Sequence, residues 1–149
     1  MTTPQAVRSD CVFCQIVKGE PPYSLIYQDD KVIVFPTYEP VNPGHVLIVP
    51  KVHAAYLNDL EEETAAHIMK VAKKVAAAIR KSDIKCDGIN IFVADEEAAG
   101  QEVSHFHLHV YPRYKDDGFG FKYDKAIHFI RISSIAMDET AKEIRSHLK

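Results

Sequence analysis

From His105 to Val110 the chain reads polar, apolar, polar, apolar, with His105, His107 and His109 alternating with Phe106, Leu108 and Val110. A period of two belongs to extended backbone, so the three imidazoles share one face and the three apolar residues the other. Upstream the pattern changes to a period near 3.6. Ala65, Ile68, Met69, Ala72, Val75, Ala76 and Ile79 keep a three-four spacing that predicts a long amphipathic helix over residues 60–81. Asp59 with Glu62 has the spacing of a capping box, and Lys73, Lys74, Arg80 and Lys81 fall toward the negative end of its dipole. Shorter apolar runs bounded by turn residues predict strands at Leu25–Tyr27, Val32–Phe35, His45–Val49, Ile89–Val93 and His105–Tyr111. Cys11–Lys18 reads as a short helix stopped by Gly19, followed by the connector Glu20-Pro21-Pro22, and a last helix is expected over Asp138–His147.

These elements give an α+β fold: about five antiparallel strands, one long helix and shorter terminal helices. Only one connection is long enough to hold a crossover helix, which argues against a parallel sheet. The 149 residues, 46% of them hydrophobic, suit one domain with an ordinary core. Residues 1–10 read as a flexible polar tail, 11–114 as the body of the domain and 115–149 as a C-terminal extension of it. No apolar run approaches the roughly 20 residues that span a bilayer, and the polar start lacks the apolar core of a signal peptide. Membrane partners are therefore not expected, and the reading is cytoplasmic. A net charge of −3 argues against broad nucleic-acid binding, so positive potential for a phosphate must be local, with Lys51 and Arg113 as candidate sources.

Three alternating histidines pose a geometric problem for a single metal. At about 3.3 Å per residue, the first and third lie roughly 13 Å apart along a strand, so shared ligation at about 2.1 Å is not easy. They have different tasks. A neutral imidazole is a fair nucleophile near pH 7, and attack on phosphorus splits one hard displacement into two easier ones. Three cysteines, an odd number, make a disulfide framework unattractive. Cys11-x-x-Cys14 leaves three readings open: half a zinc site, a redox pair, or two buried thiols. A redox pair belongs at a helix following a strand, and that context is missing. Cys86 reads as a core or surface thiol, and His67, His128 and His147 as structural or solvated.

The run His105-Phe106-His107-Leu108-His109-Val110-Tyr111 resembles the signature of the histidine triad (HIT) superfamily of nucleotide hydrolases and transferases. The segments around Cys11–Val17, Val41–Lys51 and Ala98–Val103 resemble family segments in the same order, so the likeness covers roughly residues 11–114. The resemblance implies the HIT fold, usually a homodimer joined along the long helix and sheet edge. It implies His107 as the residue that becomes nucleotidylated, His109 as a contact to the same phosphate, and His45 as an orienting or protonating partner. Gln101 and the backbone amides around Gly100–Val103, Glu102 included, are implied ligands of the non-bridging oxygens. Phe13, Ile16 and Phe35 are implied walls of a base pocket, with Thr37 at its sugar position. Several family members resemble this chain in a structural zinc site, which here is Cys11, Cys14, His53 and His105. Expected partners are a purine nucleotide or nucleotide conjugate and a second copy of the chain.

Two departures from the family pattern stand out. Phe35-Pro36-Thr37-Tyr38 replaces a segment in which many members carry an Asp for the ribose hydroxyls, and Ala94 stands where many have Asn. Thr37 offers one hydroxyl in place of a bidentate carboxylate. The resemblance implies hydrolysis of nucleoside 5′-phosphoramidates or related phosphoanhydrides through a covalent nucleotidyl-histidine. A dinucleoside polyphosphate hydrolase and a zinc-stabilised nucleotide-binding module with little turnover are the alternatives. The run Asp95-Glu96-Glu97 reads either as a solvated loop or, if it lies beside a phosphate site, as a charge that discourages long polyphosphates.

Overall fold

A computed structural model describes residues 8–20 and 24–148, so part of the Glu20-Pro21-Pro22 connector lies outside the described residues. The elements are α1 (Val12–Val17), β1 (Tyr27–Gln28), β2 (Val32–Pro36), β3 (Val46–Pro50), α2 (Glu62–Lys81), β4 (Gly88–Phe92), β5 (Leu108–Arg113) and α3 (Ser134–His147). The strands form one five-stranded sheet in the order β1-β2-β3-β5-β4, antiparallel throughout. Chain contacts divide into two compact units, one ending at Asp117 and the other running from Gly118 to the C-terminus. In the second unit Ser133 caps α3 by accepting the Ala136 N–H at 3.2 Å, and Tyr123 and Phe129 pack ring on ring.

In the first unit the period-two pattern becomes two cores on opposite faces of one sheet. Val32, Val34, Val46, Ile48, Phe106, Leu108 and Val110 face α2 and its Ile68, Val71, Ala72, Val75, Ala76 and Ile79. Ile33, Phe35, Leu47 and Val49, from the alternate positions of β2 and β3, face α1 and its Cys14, Phe13 and Ile16. Both faces of β2 and β3 are covered, which is why they read as unbroken apolar runs. Burying a side chain of Ile or Phe size contributes about 1.5–3 kcal/mol, and the two clusters together hold the sheet between its helices.

Three sequence expectations shift. On α2 the buried stripe includes Val71, whereas Met69 is 52% exposed. The proposed capping box is absent, because α2 starts at Glu62 after Glu61, and the Asp59 carboxylate instead accepts the Tyr56 N–H of a preceding 3-10 turn. The last strand begins at Leu108 rather than His105, while residues 105–107 keep the alternation without ladder pairing. His67 is structural: it sits 2.7 Å from Asp29, whose carboxylate also accepts two N–H groups of the β1–β2 turn.

Register positions the chemistry. Leu47 and Phe92 flank His109 across the sheet, and His45 immediately precedes β3, so its ring meets Tyr111 at 4.9 Å and His109 at 5.2 Å. The segment after β3 runs beside residues 105–106, with Phe106 N–H donating to Ala54 C=O, and this brings His53 to His105.

Candidate active site and metal centre

The face of the 105–113 segment opposite the α2 core carries a row of rings. Phe13 lies against His105 and His107, His107 against His109 at 4.9 Å, and His109 against His45. The N-terminal end of that row is a compact donor cluster. Cys11, Cys14, His53 and His105 are all buried, and their ligand atoms lie within 4.8 Å of one another. Cys11 Sγ is 3.4 Å from His105 Nδ1, Cys14 Sγ is 3.4 Å from His53 Nδ1 and 3.6 Å from His105 Nδ1. A tetrahedron with bonds of about 2.3 Å to sulfur and about 2.05 Å to nitrogen has S···N edges of about 3.6 Å, which these three S···N separations match. His105 Nε2 donates to the Pro50 carbonyl at 2.9 Å, which fixes the tautomer and leaves Nδ1 with its lone pair toward the cluster. The four residues could hold a metal, and all four protein donors together would close its coordination shell.

The other end of the row lines a cleft of ≈ 850 Å³. Phe13, Ile16, Phe35, Thr37, Glu102, Val103, His107 and His109 all border it. Gln101 does not. Its amide donates to the carbonyls of Ala55 and Val103, and its oxygen accepts the Glu96 N–H, so it braces the loop that presents Glu102 and Val103. Ala94 is buried outside the cleft, and Asp95 accepts the Leu57 N–H. Glu39 and Ser24 also line the cleft. No periodicity in the sequence marks either, because both come from irregular segments flanking β1 and β2. Among the described residues no Lys or Arg borders the cleft. Arg113, a candidate phosphate partner on sequence, forms a bidentate ion pair with Asp117 at 2.6 and 2.9 Å and also donates to Asn90.

Hydrogen bonding assigns the tautomers. His107 Nδ1 lies 2.8 Å from the His105 carbonyl, which can only accept, so Nδ1 carries the proton and Nε2 the lone pair. The Val41 N–H donates to His45 Nδ1 at 3.0 Å, so neutral His45 bears its proton on Nε2 and donates to His109 Nδ1 at 2.9 Å. His109 then bears its own proton on Nε2. Burial pushes His45 down to about 4; it does the same to His109, helped by the neighbouring His107 and His45, and it lowers His107 as well. At neutral pH the row is uncharged. One ring offers a lone pair and its neighbour an N–H, a combination suited to nucleophilic attack with proton donation.

Residues 18–116 match the sequence model of the HIT domain family. The chain is 32% identical over 146 residues to adenylylsulfatase HINT3 of Arabidopsis thaliana, covering 95% of this chain and 71% of that protein. It is 34% identical over 113 residues to adenosine 5′-monophosphoramidase HNT1 of Saccharomyces cerevisiae, covering 76% and 68%. Its structure is similar to that of a HIT family protein from Bacillus anthracis, with TM-score 0.85 and 35% identity over 95% of this chain and 99% of that one. It is also similar to a Zn-bound histidine triad family protein from Mycobacterium smegmatis, with TM-score 0.72 and 40% identity over 78% and 84%.

Two outcomes follow from the geometry. Titration with Co²⁺ is expected to give one tetrahedral ion per chain by visible absorption, and Cys14→Ser is expected to abolish it; retention of the same spectrum would exclude this cluster. Unfolded histidine titrates near 6.5, whereas folded His45 and His109 titrate at about 4, so stability present above about pH 6.5 is lost as pH falls toward 4. The urea midpoint is expected to drop over that window, and a flat profile would contradict the neutral row.

Proposed function

Because this chain belongs to the HIT family, we propose that it is a nucleotide hydrolase cleaving nucleoside 5′-phosphoramidates or related phosphoanhydrides through a covalent nucleotidyl-histidine. The observation that carries the reading is the pair of neighbouring neutral imidazoles on the cleft wall, a lone pair on His107 and an N–H on His109. In this mechanism His107 Nε2 attacks the α-phosphorus, the bond from phosphorus to the leaving amine breaks, and the His109 Nε2 proton goes to that amine. Water then cleaves the P–Nε2 bond, returning its proton to His109 and releasing the nucleoside monophosphate. Phe13, Ile16, Phe35 and Leu47 form the apolar wall for the base. Thr37 and Glu39 stand at the polar part of the rim, and the amides of Glu102 and Val103 are the candidate donors to the non-bridging oxygens.

The absence of Lys and Arg from the described cleft lining, together with Glu39 and Glu102 in it, disfavours a long polyphosphate. That supports the phosphoramidate reading over dinucleoside polyphosphate hydrolysis. Zinc in the Cys11, Cys14, His53 and His105 cluster would tie α1 to the segments carrying the row, a structural role in a closed shell. The reduced thiols this requires fit a reducing compartment such as the cytoplasm.

We also propose a homodimer through α2 and the β4 edge. The outward face of α2 presents Ala66, Met69, Ala77 and, beside them, exposed Ile91 of β4, along a groove of ≈ 780 Å³ that Lys70, Lys73, Arg80 and Lys81 also line. Antiparallel self-pairing of α2 about its midpoint sets Glu62 opposite Lys81, Glu63 opposite Arg80 and Ala66 opposite Ala77, so acidic and basic ends complement each other. Light scattering is expected to give twice the chain mass, and Met69→Glu to give the single-chain mass; a monomeric wild type would sink the proposal.

Adenosine 5′-phosphoramidate is expected to release AMP with wild-type protein, and His107→Ala to lower that turnover by about 10⁴-fold or more while nucleotide binding persists. Preference for diadenosine tetraphosphate would move the assignment to polyphosphate hydrolysis. No His107-dependent turnover of either, with nucleotide binding intact, would favour the binding module.

A further inference from the structure

His45 reaches His109 from a tight turn that precedes β3. Asn42-Pro43-Gly44-His45 is a type II β-turn: the His45 N–H donates to the Asn42 carbonyl at 3.1 Å, proline occupies the second position, and Gly44 at the third has φ +97°. A Cβ on Gly44 would stand 2.9 Å from Ile84 Cγ2, so the turn also packs closely against its neighbour. The folded-back chain aims the Val41 N–H at His45 Nδ1.

The turn is fastened at Asn42, which is buried. Its side-chain amide donates to the Pro112 carbonyl and to Asp117 Oδ2, both at 2.9 Å. Both partners are acceptors, so the orientation of the amide is fixed. The Asp117 side chain is 2% exposed and is clamped by the Arg113 guanidinium. Pro112 and Arg113 belong to β5, the strand that carries His109. The turn bearing one ring of the His45–His109 pair is thus bolted to the strand bearing the other.

Resting on the hydrolase reading above, we propose that Asn42, braced by Asp117 and Arg113, is the positioning residue that locks His45 in its Nε2–H tautomer and so makes His109 a proton donor to the leaving group. With the Val41 N–H facing it, His45 Nδ1 must accept, Nε2 must donate to His109 Nδ1, and His109 must carry its proton on the nitrogen left over. If the turn shifts, the opposite tautomer becomes available to His45. Its Nε2 then accepts, the proton of His109 moves to Nδ1, and the cleft receives a lone pair where a departing amine needs a proton.

Long-range ¹H–¹⁵N NMR on the full zinc-loaded chain is expected to show wild-type His45 with an unprotonated Nδ1 and a protonated Nε2. Asn42→Ala is expected to add a second His45 tautomer. For an alkylamine phosphoramidate, whose leaving group must be protonated, this variant is expected to lose kcat by about 100-fold with little change in KM. For a p-nitrophenyl ester of the same nucleotide, which departs as a stable anion, the loss should be small. A single unchanged His45 tautomer in Asn42→Ala, or equal kcat losses for both substrates, would overturn the proposal. Should Asn42→Ala fail to fold, Asn42→Ser is read by the same two measurements. A wild-type chain without turnover would count against the hydrolase reading, while the tautomer measurement still decides whether Asn42 sets His45.

Discussion

Extended backbone from His105 to Arg113 sends successive side chains to opposite sides, and the cores of the first unit are arranged around that alternation. Phe106, Leu108 and Val110 enter the core under α2, which fixes the segment against the sheet. The imidazoles are thereby held rigidly on the other face, against α1 and the turn before β3. A rotation that exposed one histidine would also pull a core residue out of its cluster. The precision of the row is therefore maintained by apolar burial, not by hydrogen bonds among the rings alone.

Within that frame His105 links two chemistries. Its side chain belongs to the donor cluster with Cys11, Cys14 and His53, and its backbone carbonyl accepts the proton of His107 Nδ1. Anything that anchors the His105 ring also anchors the carbonyl that sets the tautomer of the next ring but one. At the far end His45 performs the matching task for His109, with its own tautomer dictated by a backbone N–H. Both hydrogen-bonded ends terminate in main-chain groups, which do not titrate. That is a physical reason for the row to stay in one protonation state near neutral pH, where burial already disfavours the charged form.

The cleft combines this neutral row with apolar walls and carboxylates. On the proposed hydrolase reading, a phosphate bound there would meet N–H groups in place of ammonium or guanidinium charges, which would suit a single reacting phosphorus better than an extended polyanion.

The sequence by itself determined the α+β class, a long helix expected over residues 60–81, the alternation at 105–110 and the family likeness, because periodicity and motif spacing are local properties. The same locality explains its errors: Met69 fits the helical stripe yet faces outward, and Asp59 has cap spacing yet bonds to Tyr56. Only the tertiary structure decided that Gln101 braces a loop, that Arg113 is consumed by Asp117, and that Glu39 and Ser24 reach the cleft. It also decided which nitrogen of each histidine holds the proton. Those outcomes depend on partners far away in the chain, such as Asn42 on Pro112 or His105 on Pro50. No local pattern encodes which groups a fold will place within hydrogen-bonding distance.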